Sequence, residues 1–149
     1  VIVYVDSSVL ARSYLHDEDG HEQAVALIES PDLVPVTGTW TRIEVSGALI
    51  RAARARRGTT DERDLLAVLD ADLGEEGRVS ELTVAQADVE KKTLELVRGH
   101  ALRTLDAWHV AVAALTVPAL AEAEQDQIAF ASRDDEQAAA AEQLGFTRV

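Results

Sequence analysis

The first five residues, VIVYV, are four β-branched side chains and a tyrosine, and they end abruptly at Asp6. A run this short, continuous and β-branched is expected to form a strand buried on both faces, as in a parallel sheet covered by helices. The rest of the chain fits that expectation. Ser7 or Ser8 can start a helix to about residue 15, HDEDGHEQ reads as a polar connection, and residues 22–29 form a second helix before Ser30 and Pro31. DLVPV is a short strand at best, because Pro35 lacks a ladder donor. Residues 38–57 are helical in pattern, with Trp40, Ile43, Ala48, Leu49 and Ala52 near one face and Gly58 closing the segment. Thr60, Asp61 and Glu62 open the next helix, whose stripe of Leu65, Leu66, Val68 and Leu69 runs to the GEEG break. RVSELTV is expected as a strand, 85–99 and 104–115 as helices, QIAFAS as a strand, 134–144 as a helix and GFTRV as a short final strand. Strands alternate with helices, so the fold class is α/β, with a mostly parallel sheet flanked by helices on both sides. With 149 residues and no internal repeat or linker, residues 1–149 are expected to form a single domain.

Aromatics make up only 4% of the chain, so the core has to come mostly from Ala, Val and Leu. The absence of cysteine removes disulfides and thiolate metal sites together and fits a reducing cytoplasm, the expected location. No run approaches a membrane span, and the amino terminus does not read as a signal peptide. A net charge of −13 argues against a protein that coats nucleic acid through a general positive field. A nucleic-acid enzyme of this charge needs a local basic surface, a metal or a basic partner. The one dense basic segment is RAARARR, with Arg51, Arg54, Arg56 and Arg57. It reads first as a solvated helix end favoured by the helix dipole, and second as a guide for RNA.

Four acids stand in awkward positions. Asp6 follows the first strand and Asp134 follows QIAFAS, so both fall beyond the carboxyl ends of strands, where open parallel sheets bind ligands. Glu44 and Asp106 fall near the apolar faces of their helices. Each alone has an ordinary explanation: Asp6, Asp106 and Asp134 as N-caps, Glu44 as a partly buried acid paired to Arg. Together they are harder to explain that way, because two carboxylates about 4 Å apart repel by roughly 4 kcal/mol at an effective dielectric of 20. Unless one holds a proton, a cation has to offset that repulsion. Hard oxygen donors without cysteine point to Mg²⁺ or Mn²⁺, and such a cluster suits phosphodiester hydrolysis.

Four segments, VDSSVLA, TRIEVSGAL, RTLDAWHVAVA and FASRDDEQAAAAEQLGF, occur in an order and spacing that resemble the PIN domain family. The resemblance is closest to the VapC ribonuclease toxins of type II toxin–antitoxin pairs. It covers essentially the whole chain, and RTLDAWHVAVA is its most specific part. It implies a PIN-like fold and a divalent-metal-dependent endoribonuclease, with Asp6 and Asp106 as principal metal-binding acids, Glu44 as the helical third acid and Asp134 as the fourth. The fourth assignment can slip to Asp135, but Ser-Arg-Asp fits the family's pattern for Asp134. Ser8 matches the residue that supports the first acid and bound water, and Ser132 a hydroxyl that borders the site. The resemblance also implies a VapB-like antitoxin whose carboxyl-terminal segment blocks the site, a homodimer, and a larger toxin–antitoxin complex. The helix faces at 24–28 and 43–50 are candidates for these contacts, or parts of the core. His109 reads as a packing or supporting residue, Trp40 and Trp108 as core or interface rather than base-stacking platforms, and His16 and His21 as part of a solvated loop. A PIN-like binding scaffold that has lost cleavage is the alternative from another class, and the intact acids argue against it. A phosphatase or receiver domain is disfavoured because VDSSV lacks a second spaced acid and no Lys follows the later strands suitably.

Overall fold

The computed structural model describes residues 1–55, 62–121 and 127–149. In chain order the elements are β1 (Ile2–Val5), α1 (Ser7–Tyr14), α2 (His21–Ile28), β2 (Val34–Gly38), α3 (Trp40–Ala55) and α4 (Glu62–Asp72). They continue with β3 (Ser80–Leu82), α5 (Gln86–His100), α6 (Thr104–Leu120), β4 (Ile128–Ala131), α7 (Asp135–Gln143) and β5 (Thr147–Arg148). The five strands form one parallel sheet in the order β3-β2-β1-β4-β5.

Strand β1 lies at the centre, and its period-two alternation builds both halves of the core. Val3 and Val5 point to one face, against Leu10 of α1, Ile28 of α2, Val45 and Leu49 of α3, and Leu69 of α4. Tyr4 points to the other, against Val89 of α5, Val110 and Val117 of α6, and Phe130 of β4. The apolar run at the amino terminus is therefore buried on both sides, as a central parallel strand must be.

The chain builds β1, β2 and β3 outward in one direction, then returns to add β4 and β5 on the other side of β1. That reversal opens a crevice beyond the carboxyl ends of β1 and β4, where sheets of this type bind ligands. Val5 pairs with Ala131, so the residues that leave these two strands start side by side.

Four expectations are corrected. Pro35 sits in β2, an interior strand, without loss of pairing. Val34 donates its N–H to Val1, so Pro35, one pleat on, turns its missing donor toward β3, which pairs with β2 only from Val36 onward. The inward face of α3 is Thr41, Val45, Leu49 and Ala53, which leaves Trp40 46% and Ile43 68% exposed. Thr41 can occupy the interior because its hydroxyl meets that of Thr37 at 2.7 Å, and Thr37 in turn donates to the Val5 carbonyl. Helix α6 runs past residue 115 to Leu120 despite Pro118, held there by the fully buried Val117. Gly38 ends β2 rather than starting α3. A Cβ there would lie 2.8 Å from both the Trp108 ring and the Tyr4 hydroxyl. The expected helix end at Arg56 to Gly58 and the start at Thr60 and Asp61 lie outside the described residues. Of the candidate contact faces, Ala24 and Ile28 are core residues, while Ile43 stands open.

Candidate active site

Asp6 leaves β1 as the N-cap of α1, and its Oδ2 accepts the Ser8 backbone N–H at 3.1 Å. Its side chain is buried, a costly position for a carboxylate with no cation beside it. Ser8 thus supports Asp6 through its main chain, while its hydroxyl accepts from the Arg133 backbone N–H at 3.4 Å. Asp134 caps α7 in the same manner, accepting the N–H groups of Glu136 and Gln137 at 2.9 and 3.0 Å. Asp106 lies in the first turn of α6. Burial pushes its carboxyl above the ordinary range, the charges of Asp134 and Asp6 push it further, and Arg103 and His109 offset only part of this. Three carboxylates from three separate segments therefore share one electrostatic environment at the crevice.

Asp135 is excluded from that group. It is 84% exposed at its side chain and pairs with Arg148 of β5, so Asp134 is the acid that faces Asp106.

Glu44 reaches the same place by a different route. Its Oε2 lies 2.6 Å from His109 Nε2, and that nitrogen is 3.6 Å from Asp6 Oδ1. A carboxylate only accepts, so Nε2 carries the proton, and Nδ1 accepts from the Tyr4 hydroxyl at 2.9 Å. The Tyr4 oxygen accepts the Gly38 N–H at 3.1 Å, which completes a buried chain from β2 to Glu44. Burial and the nearby Asp6 push the Tyr4 phenol well up, which keeps it a neutral donor. His109 thus supports Glu44, in line with what the family resemblance implied for it.

Two contributors escaped the sequence reading. Gln137 is fully buried, and its amide nitrogen donates to Asp6 Oδ1 at 3.4 Å and to the Asp106 carbonyl at 3.2 Å. Its Oε1 takes the Ser132 hydroxyl proton at 2.5 Å, while Ser132 Oγ accepts the Asp134 N–H at 3.0 Å. One amide thereby ties together the segments that carry all three aspartates. The signal was present: Asp134 and Gln137 have N-cap and N3 spacing, the pattern of a capping box, although Gln137 turns inward instead of back to the cap. The second is Arg12, which with Arg51, Ser7, Ser8, Glu18 and Glu44 lines a cleft of about 520 Å³ between α1 and α3. Of the arginines expected to guide RNA, Arg51 lines this cleft, whereas Arg54 projects into solvent 3.6 Å from Glu62. Arg56 and Arg57 lie outside the described residues.

The model of the PIN domain family matches residues 3–143. The chain belongs to the PIN domain family. No curated protein is similar enough to it to count as a match. PIN domains are in general metal-dependent nucleases, and the parallel sheet with helices on both faces is consistent with their fold.

The chemistry of this PIN domain's donors fits a divalent cation. Asp6, Asp106 and Asp134 are hard oxygen donors, and no Lys or Arg among the described residues closes an ion pair on any of them. Among the described residues no three acidic or imidazole side chains converge closely enough to grip an ion as they stand, and Glu44 is engaged with His109. Also among these residues, no helix is long and apolar enough to cross a membrane.

Proposed function

We propose that this PIN domain is a VapC-type endoribonuclease toxin that hydrolyses RNA phosphodiester bonds with Mg²⁺ or Mn²⁺ and is silenced by a VapB-like antitoxin. The observation that carries the reading is the shared environment of Asp6, Asp106 and Asp134 at the crevice, with the arginine-lined cleft beside Glu44. The four sequence segments that resemble VapC toxins contain these same acids.

In this reading Asp6, Asp106 and Asp134 hold the cation, with Glu44 as the fourth acid of the set. When bound, a divalent ion supplies a water of lowered pKa and a Lewis acid for the phosphoryl oxygens. The chain's own residues do the rest. Ser8, Gln137 and the first N–H groups of α7 fix the carboxylates in position. His109 orients Glu44. Arg51 and Arg12 offer guanidinium groups to the phosphates that flank the scissile bond, which a chain of charge −13 otherwise repels. No side chain is needed as a covalent nucleophile.

The same proposal includes self-association and antitoxin binding. An antitoxin Arg entering beside the acids would supply positive charge to carboxylates that lack it. Ile43 on α3, 68% exposed, is one apolar side chain open to a second copy.

The test is cleavage of total RNA by antitoxin-free protein with Mg²⁺ or Mn²⁺, compared with EDTA and with Asp6→Asn. Metal-dependent cutting that the variant loses supports the reading, and mapped ends identify the target. Absence of cutting with either metal turns the choice to the non-cleaving scaffold.

A further inference from the structure

The connection between α1 and α2 brings together two of the chain's four histidines, His16 and His21. Their nitrogens Nδ1 of His16 and Nε2 of His21 stand 3.1 Å apart. The backbone fixes that approach. Glu18 donates its N–H to the Leu15 carbonyl at 3.0 Å, His21 donates to the Glu18 carbonyl at 3.1 Å, and Gly20 between them takes the left-handed φ of 87° that glycine adopts freely.

Two ring nitrogens this close can share a proton or an ion, and the placement of the rings distinguishes the two. A straight N–H···N bond of that length would set the ring centres roughly 5.4 Å apart. Two imidazoles bound to one zinc ion hold their ligating nitrogens roughly 2.9 to 3.4 Å apart, and at the spacing seen here their ring centres would be separated by about 4.8 Å. The ring centres of His16 and His21 are 4.6 Å apart, with the planes at 71°. This matches two nitrogens aimed at one point beside the line that joins them.

The protons fit the same reading. His21 Nδ1 lies 2.7 Å from the Arg12 carbonyl, which only accepts, so Nδ1 carries the proton and Nε2 turns a lone pair toward His16. A carbonyl on the far nitrogen is the usual outer contact of a metal-bound imidazole. His16 offers its own lone pair at Nδ1 once its proton resides on Nε2, a change of tautomer that releases nothing. Asp17, Glu18, Asp19 and Glu22 surround the pair in sequence and add a negative field that favours a cation. No third acidic or imidazole side chain among the described residues converges with the two, so water completes the shell.

We propose that His16 and His21 form a second metal site, for a borderline transition-metal cation such as Zn²⁺. Imidazole suits such ions, whereas Mg²⁺ and Mn²⁺ prefer oxygen, so this site and the aspartates select different metals. The proposal stands whether or not the chain cuts RNA. Bound there, the ion clamps the connection whose Asp19 carbonyl accepts from Arg12 Nε at 2.8 Å and from Arg133 Nη1 at 3.1 Å. It thereby steadies Arg12 at the wall of the cleft.

The test is calorimetric titration of the full chain, without an affinity tag and with excess Mg²⁺ present, with ZnCl₂. Saturable binding of one ion is expected. His16→Gln, which spares the bond from His21 to Arg12, should weaken it by at least about tenfold, and Asp106→Asn should leave it unchanged. At a hundredfold excess over Kd, zinc should raise the melting temperature of the parent chain by about 5 °C and that of His16→Gln by much less. The unaltered chain gives a direct reading whatever the stability of the variants. Zinc should move the ring nitrogen resonances of His16 and His21 and not those of His100 and His109. Zinc binding that survives His16→Gln, or that Asp106→Asn abolishes, places the ion on carboxylates and overturns the proposal. So do ring resonances of His16 and His21 that zinc leaves unmoved, which would reduce the pair to a shared proton.

Discussion

The cleft between α1 and α3 and the groove between α3, α5 and α6 share one helix but differ in what lines them. The first carries Arg12 and Arg51 with serines, acids and small apolar side chains, and the second carries two indoles with aliphatic side chains, threonines, Gln86 and Glu90. Both border α3, whose Trp40 lines the groove and whose Glu44 and Arg51, on the same helical face further along, line the cleft. In a chain of charge −13, Arg12 and Arg51 thus stand together in the cleft, and the groove carries no basic side chain among the described residues.

The largest expected effect is at the acids themselves. Asp106→Asn is expected to lower RNA cleavage by at least roughly 100-fold, while raising the melting temperature of the metal-free chain. The opposite signs arise because burial, and then the charges of Asp134 and Asp6, disfavour the ionised Asp106 carboxylate in the metal-free chain. Cleavage assays beside thermal melts read both, and a loss of stability together with activity would mark Asp106 as merely structural.

Gln137→Ala removes the amide that links Ser132, Asp6 and the Asp106 backbone. Loss of these buried bonds should cost about 2 kcal/mol of stability and reduce cleavage by roughly tenfold. Denaturant unfolding measures the first and kcat the second.

Arg51→Ala sharpens the distinction between the two regions. It should weaken RNA binding a few-fold and make the dependence of log Kd on log salt shallower by about 0.7, the contribution of one phosphate contact to a single strand. Trp40→Ala should leave that slope unchanged. Equal slopes for the two variants would erase the division of labour.

The smallest effect is on pH. The raised carboxyl of Asp106 means that the folded chain binds its proton more tightly than the unfolded chain does. Stability of the metal-free protein therefore falls as pH rises from the ordinary carboxylate range through the raised value. Thermal melts across that window should show the decline, and Mg²⁺ or Mn²⁺ should flatten it.

The acids were legible because their positions follow from local patterns. VIVYV and QIAFA are strands by composition, and an acid just past a strand in a parallel sheet falls at the ligand-binding end whatever else the fold does. Glu44 was legible as an awkward acid but not as the partner of His109, which is 65 residues away in sequence. Trp40 was read on one apolar face with Ile43 and Leu49, as core or interface, and the fold leaves it 46% exposed. Apolar content suggested that face, while the hydroxyl pair Thr37 and Thr41 turned the helix by about one residue in the fold. The polar core of Tyr14, Asp72 and Arg78 was equally hidden. Arg78 binds both oxygens of Asp72 at 2.8 and 2.7 Å, and Asp72 also accepts from the Tyr14 hydroxyl at 2.9 Å.

By itself the sequence determined the alternation of strands and helices, and with it the α/β class and the end of the sheet at which Asp6 and Asp134 emerge. Those features depend on side-chain periods of two and of 3.6, which a few neighbouring residues fix. Only the tertiary structure decided that β4 lies beside β1, that Gln137 ties the aspartates together, and that two tryptophans line an open groove. These depend on strand order and on which hydroxyls and amides find partners across the chain, and no local period encodes either.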